Sequence, residues 1–279
     1  MTEGNIQGRL AFIGGGNMAA ALIGGLLRRG VPPARIAVAE PGEERRQWLR
    51  SQFGVETVSD NALAAAQSDV VVLAVKPQRM REMSVALAPQ LENPATLVIS
   101  VAAGIPLAAL ERWFGTHRGI VRTMPNRPAL SGYGATALFA SARLGRAERD
   151  RAESIMSAVG LTVWLESESQ MDVVTALSGS GPAYFFLFME ALECAARDLG
   201  LAAEVAHRLT LATALGAARM ADEAAEPLAA LREQVTSKGG TTEAALAVLE
   251  TAELRATIAR AVAAAARRSV ALAAEFGLP

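Results

Sequence analysis

The strongest constraint on the fold is one junction, where the apolar run Leu10-Ala11-Phe12-Ile13 passes directly into Gly14-Gly15-Gly16-Asn17-Met18-Ala19. A helical pattern, Ala20 to Arg29, follows at once. A short, fully apolar run reads as a buried strand, so this is a strand–turn–helix unit. Read as G-x-G-x-x-A, Gly14 makes the tight turn, Gly16 leaves room for a pyrophosphate, and Ala19 keeps the helix close to the sheet. The motif is weak alone, and its context strengthens it: a second strand, Arg35 to Ala39, ends in Glu40, where the ribose hydroxyls of a dinucleotide sit. Arg45 and Arg46 on the next helix can moderate that carboxylate.

The alternation continues with helix Glu43 to Gln52, a strand near Val55 to Val58, helix Asn61 to Gln67 and the buried strand Val70 to Val75. Helix Arg79 to Leu87, strand Thr96 to Val101, helix Leu107 to Trp113 and strand Ile120 to Met124 complete a doubly wound parallel sheet. Ligands of such sheets gather at the carboxyl ends of the strands. Here those ends are Gly14 to Ala19, Glu40, Ala74 to Pro77, Ala102 to Gly104 and Met124 to Asn126. Lys76, just before Pro77, reads as a solvated cation whose backbone lines the cofactor groove. Ser131 to Ala140 reads as an additional strand, followed by a polar helix, Arg146 to Ala158, and a last strand, Thr162 to Leu165. Strand signals vanish from Glu166 onward. The expected organisation is therefore α/β: a dinucleotide-binding domain over residues 1–165, then an all-helical domain over residues 166–279.

The helical half is alanine-rich, and alanine-dense helices bury little apolar area per residue, so this half needs a partner surface. A net charge of −1 carries no basic field for nucleic acid. The single cysteine, Cys194, excludes an internal disulfide framework, fits a reducing, cytoplasmic setting, and reads as a small buried side chain on a helix. Residues 1–10 are polar without a signal-peptide pattern, and the most apolar run, Ala183 to Met189, is too short to span a bilayer. His117 and His207 sit among charged residues and are expected to face solvent; no Cys, His and carboxylate cluster has metal spacing.

Two glycine- and hydroxyl-rich loops interrupt the helices. Ser178-Gly179-Ser180-Gly181-Pro182 precedes a helix with Pro182 in its first turn. Val235-Thr236-Ser237-Lys238-Gly239-Gly240-Thr241-Thr242-Glu243 leads into a second helix, its threonines placed at the start, where N–H groups are free and partial positive charge collects. A capped turn needs fewer such residues. A site for a small carboxylate accounts for the surplus.

With both loops in hand, the chain resembles pyrroline-5-carboxylate reductases over nearly its whole length. The resemblance is carried by residues 12–19, Ala74-Val75-Lys76-Pro77, Met124-Pro125-Asn126, Leu177 to Tyr184 and Val235 to Thr242. It implies NADH- or NADPH-dependent reduction of the cyclic imine 1-pyrroline-5-carboxylate to L-proline. It further implies a homodimer of interlocked helical domains, often assembled into a decamer, with the active site at the dimer interface. Carried over residue by residue, Gly14, Gly16, Asn17 and Met18 fall on the pyrophosphate. Glu40 and Asn61 fall at the adenosine ribose, Ala74, Val75, Lys76 and Pro77 line the groove, and Ala102 and Met124 lie near the nicotinamide. Ser237, Gly239, Gly240, Thr241 and Thr242 hold the substrate, Thr242 as the catalytic hydroxyl reaching the imine nitrogen.

Three positions depart from the pattern: Lys238 replaces a usual proline, Arg127 a usual small residue, and Glu40 a neutral residue that admits a 2′-phosphate. Hydride reduction of a protonated imine needs positioning more than acid–base machinery, which agrees with the lack of a His/Asp or paired-carboxylate signature. A β-hydroxyacid dehydrogenase would share the architecture, but its catalytic lysine is missing from the helices between Ala183 and Asp222. A non-catalytic dinucleotide-binding protein would not need the intact loop Ser237 to Thr242.

Overall fold

The computed structural model describes Ile6, residues 8–116 and residues 118–276; His117 lies outside the described residues. The first part alternates as β1 (Leu10–Ile13), α1 (Asn17–Arg28), β2 (Ile36–Ala39), α2 (Glu43–Phe53), β3 (Glu56–Val58), α3 (Asn61–Ala65) and β4 (Val70–Leu73). It continues with α4 (Pro77–Leu87), β5 (Leu97–Ser100), α5 (Leu107–Phe114), β6 (Ile120–Met124), β7 (Gly134–Ala140), α6 (Arg146–Met156) and β8 (Gly160–Trp164). The strands form one eight-stranded sheet in the order β3-β2-β1-β4-β5-β6-β7-β8. The order reverses between β1 and β4, the switch point at which doubly wound sheets bind ligands.

Every residue of β1, β2, β4 and β5 is buried, as continuous apolar runs require when helices cover both faces. The two-residue period divides them: Leu10 and Phe12 join one core layer with Leu22 and Ile23 of α1, while Ala11 and Ile13 join the other with Met80 of α4 and Leu110 of α5. All neighbouring strands pair in parallel except β6 and β7, which are antiparallel. The additional strand and the last strand, β7 and β8, therefore both run against the other six in a sheet read as parallel.

The rest is helical: α7 (Gln170–Val174), a π-helical turn (Thr175–Gly179), α8 (Gly181–Asp198), α9 (Ala203–Glu223), α10 (Leu228–Gln234), α11 (Thr241–Thr251) and α12 (Leu254–Phe276). The sheet ends at Trp164, close to the boundary expected after Leu165. The chain nonetheless divides into compact units elsewhere: the first runs to Ser180 and regains residues from Ala264 onward, and the second spans Gly181–Ala263. Residues 166–180 are tied to the first unit by polar contacts and by the fully buried side chains of Met171 and Ala176. Glu168 Oε1 accepts from the Arg122 guanidinium at 2.7 Å and from the Leu107 N–H, at the start of α5, at 2.6 Å. Asp172 accepts from the Ser269 hydroxyl of α12 at 2.7 Å.

The second unit has little interior of its own. Gly181 is the only buried residue of α8, Ala206 and Thr210 the only ones of α9, and α10 and α11 have none. Phe185, Phe186 and Leu187 are 71%, 64% and 67% exposed. Cys194 is exposed as well, not buried as expected, because α8 buries so little of its surface. His207 is half-exposed and its Nδ1 lies 2.9 Å from Glu193 Oε1.

Candidate active site

The turn after β1 is built by Gly14. Its φ of +97° is strained for any side-chain-bearing residue, and a Cβ there would stand 2.7 Å from the Ala74 carbonyl oxygen. The turn is pinned on both sides: the Gly14 N–H donates to Ala39 O at 2.8 Å, and the Ala74 N–H to Ile13 O at 2.8 Å. These bonds bring Gly14 and Ala74 together, at the ends of strands that flank the switch point.

Helix α1 then starts without a cap. Gly16 is the N-cap residue, makes no side-chain capping bond, and has nothing within 4 Å of where a Cβ would be; the first turn carries no acidic residue. Gly16 and Asn17 are exposed and Met18 half-buried. A helix of 12 residues therefore presents bare N–H groups and partial positive charge beside an open glycine. That is the arrangement that takes a phosphate.

Glu40, at the end of β2, is more occupied than the sequence suggests. Its Oε2 accepts from the Gly15 N–H at 2.9 Å and its Oε1 from the Gly42 N–H at 3.0 Å. The carboxylate thus straps the glycine turn to the segment after β2. Arg45 holds the other side of the same glycine, its Nε donating to Gly15 O at 2.7 Å while its guanidinium lies 4.1 Å from the Trp48 ring centroid. One terminal nitrogen of Arg45 is buried and makes no hydrogen bond among the described residues. Arg46 is committed to backbone, donating to Glu40 O at 2.6 Å and Pro41 O at 2.7 Å, and pairs with Glu43.

Around this centre stand the other residues singled out in the sequence. Asn61 begins α3, whose cap is Asp60 accepting from the Leu63 N–H at 3.0 Å. Lys76 is exposed and caps α4 with Pro77 in its first turn; Ala74 and Val75 are half-buried. Ala102 is buried after β5, and Met124 is half-buried at the end of β6. The sequence reading placed Asn126 at a strand end and in a family motif but gave it no role. This residue is buried, donates from Nδ2 to Ser178 O at 3.0 Å and accepts at Oδ1 from the Ala135 N–H at 2.9 Å. The first hydroxyl-rich loop is thereby fastened to the end of β6.

The second loop belongs to the second unit. Gly239 takes the left-handed conformation, φ +73°, and its N–H donates to the Glu243 carboxylate at 2.6 Å. The Gly240 N–H closes a turn onto Ser237 O at 3.0 Å. Helix α11 is capped by Gly240 with no side-chain bond, so Thr241 and Thr242 are its first two residues and neither is the cap. Thr236 spends its hydroxyl on Arg232 O at 2.6 Å, whereas the Thr242 hydroxyl makes no hydrogen bond among the described residues. The capping explanation for Thr242 is thus removed. A half-buried hydroxyl beside free helix N–H groups suits a small carboxylate with a neighbouring polar atom.

Among the described residues no group of three or more His, Cys, Asp and Glu is placed to hold a metal ion, and no helix is long and apolar enough to cross a membrane.

Comparison with known proteins agrees over both parts of the chain. Residues 168–272 match the family described as pyrroline-5-carboxylate reductase dimerisation, and residues 9–104 match that described as NADP oxidoreductase coenzyme F420-dependent. A pyrroline-5-carboxylate reductase of Pseudomonas aeruginosa is 51% identical over 96% of this chain and 98% of its own. The solved structure of one from Coxiella burnetii superposes with a TM-score of 0.91 at 46% identity, covering 95% of this chain and 98% of that one. A Plasmodium falciparum pyrroline carboxylate reductase with NADP bound superposes with a TM-score of 0.85 at 29% identity, covering 96% of this chain and 98% of that one.

Proposed function

Because this chain belongs to the pyrroline-5-carboxylate reductase family, we propose that it reduces 1-pyrroline-5-carboxylate to L-proline with NADH or NADPH, the final step of proline biosynthesis. The full-length likeness to reductases of that name carries the reading. The chain's own geometry agrees: the open start of α1 beside Gly16 fits a pyrophosphate, and the uncapped start of α11 fits a substrate carboxylate.

In this reading Gly14, Gly16, Asn17 and Met18 hold the pyrophosphate, and Glu40 with Asn61 receives the adenosine ribose. Ala74, Val75, Lys76 and Pro77 line the groove, with Ala102 and Met124 at the nicotinamide. The cofactor supplies a hydride from nicotinamide C4. Ser237, Gly239, Gly240 and Thr241 bind the substrate carboxylate and ring, and the Thr242 hydroxyl fixes the imine nitrogen. Orientation of this kind supplies much of the rate when no strong acid or base is needed. The glycines at 239 and 240 permit close approach of the ring to backbone, and Lys238 adds long-range attraction for the acid.

The helical unit is a dimerisation domain, and its exposed apolar faces are those an oligomer would cover. We take the working assembly to be a homodimer, or a decamer of such dimers, in the cytoplasm, where the free Cys194 stays reduced. The test is loss of reduced-nicotinamide absorbance on adding 1-pyrroline-5-carboxylate, with L-proline as product. Oxidation with 2-oxo acids but not with the imine would favour a hydroxyacid dehydrogenase, and oxidation with neither a binding protein.

A further inference from the structure

Pro182 leaves a gap in the chain's hydrogen bonding. A helical carbonyl accepts from the N–H four residues on, so Ser178 O would look to residue 182, and proline has no N–H to give. The chain responds with a π-helical turn over Thr175–Gly179, in which the Ser180 N–H reaches back to Thr175 O at 2.8 Å. Such turns are frequent at functional sites. The orphaned Ser178 carbonyl is met from another element: it accepts from Asn126 Nδ2 at 3.0 Å. The opposite end of that amide accepts from the Ala135 N–H of β7 at 2.9 Å, so the buried side chain is held at both ends.

The turn that Asn126 holds lies directly on Met124. A Cβ at Gly179 would stand 2.7 Å from Met124 Cε, leaving room for nothing larger than glycine unless the methionine moves. Ser178 uses its hydroxyl on Val174 O at 3.1 Å, while the Ser180 hydroxyl makes no hydrogen bond among the described residues. In a sheet ordered 3-2-1-4-5-6, with its acidic residue at the end of β2, the adenosine half lies over β2. The reactive half then extends over the ends of β4, β5 and β6, and Met124 is the end of β6. The turn carrying Ser180 is therefore a wall of the reactive end.

We infer that Asn126 is a positioning residue for hydride transfer: by holding the turn 175–180 against Met124, it fixes the wall that orients the nicotinamide ring. This rests on the reductase reading, since it presumes that a nicotinamide occupies that end.

The test is Asn126→Asp. A carboxylate still accepts from the Ala135 N–H but offers no donor to Ser178 O; its second oxygen sets a negative charge against that carbonyl, so it breaks the link to the turn and pushes the turn away. Misplacement of a reacting centre by a fraction of an ångström lowers kcat by about 10- to 100-fold, while NADH affinity, set mainly at α1 and β2, should stay within about twofold. Slower hydride transfer should also raise the isotope effect on kcat measured with NADH deuterated at C4. A merely structural contact would change the melting temperature and leave that isotope effect alone. Gly179→Ala, which presses on Met124 without touching Asn126, should give a smaller kcat loss with the same rise in isotope effect, and serves if Asn126→Asp does not fold. A folded variant with wild-type kcat and isotope effect, or one losing NADH affinity in step with kcat, overturns the assignment. Absence of turnover by the unaltered protein would instead sink the reductase reading, and the inference with it.

Discussion

Glu40 has one role in the structure and a second in the proposed site, and a pair of substitutions separates them. Its carboxylate straps the glycine turn through the Gly15 and Gly42 N–H groups, and in the proposed site it also faces the adenosine ribose. A phosphate placed on that ribose would stand close to a negative charge. At about 4 Å the repulsion is roughly 1 kcal/mol in water and 4 kcal/mol at the lower effective dielectric near a protein surface. That corresponds to a discrimination against NADPH of about 5- to 1000-fold. Glu40 is half-buried, and Arg45 sits beside it with a terminal nitrogen not yet bonded, so the lower part of that range is expected. Arg46 offsets less, being committed to Glu40 O, Pro41 O and Glu43.

Glu40→Gln removes the charge and keeps the length, retaining one acceptor for the two N–H groups. Glu40→Ser removes both. Both variants should raise the ratio of kcat/KM for NADPH to that for NADH. Serine should in addition lose about 1 to 3 kcal/mol of stability from backbone bonds to a charged acceptor, or roughly 2 to 5 °C in melting temperature. Steady-state kinetics with each cofactor and a thermal melt on the three proteins decide between the roles. An unchanged cofactor ratio in both variants, with only the melt affected, would refute the electrostatic argument and leave Glu40 as a strap alone.

Other outcomes follow from the same geometry. Because no capping bond depends on Thr242, Thr242→Ala and Thr242→Val should lower kcat/KM by about 5- to 150-fold, with Thr242→Ser near wild type and all three melting within a few degrees; an active valine variant would remove the hydroxyl from the mechanism. Gly14→Ala should cost about 2 to 5 kcal/mol in denaturant unfolding, summing the strain of a positive φ and the clash with Ala74 O; a loss under about 1 kcal/mol would mean the turn can open. Phe186→Asp, on an exposed apolar face of α8, should shift sedimentation toward a monomer and abolish activity, since burying one such ring contributes about 1.5 to 3 kcal/mol; an active monomer would show that the face needs no partner.

What the sequence made legible is what repeats or what geometry forces. The runs at Leu10, Ile36, Val70 and Leu97 announce strands buried on both faces, and a glycine is required where a Cβ would meet the Ala74 carbonyl. Part of what stayed hidden rests on single polar contacts, which have no period. Nothing about Glu168 in isolation says that it bonds both Arg122 and Leu107, so nothing told that residues 166–180 pack with the sheet. The reversal of β7 was equally silent, since direction leaves no mark on composition. Asn126 shows the intermediate case. Pro182 was read only as a helix start, yet the same residue denies Ser178 O its donor, and a buried amide must come from elsewhere in the chain to meet it. The Thr241-Thr242 pair runs the other way. The sequence offered capping as an ordinary use for these hydroxyls, and the backbone gives the cap to Gly240 instead. A turn between α10 and α11 needed nothing beyond that glycine and Glu243, which leaves the Thr242 hydroxyl free for the substrate contact proposed above.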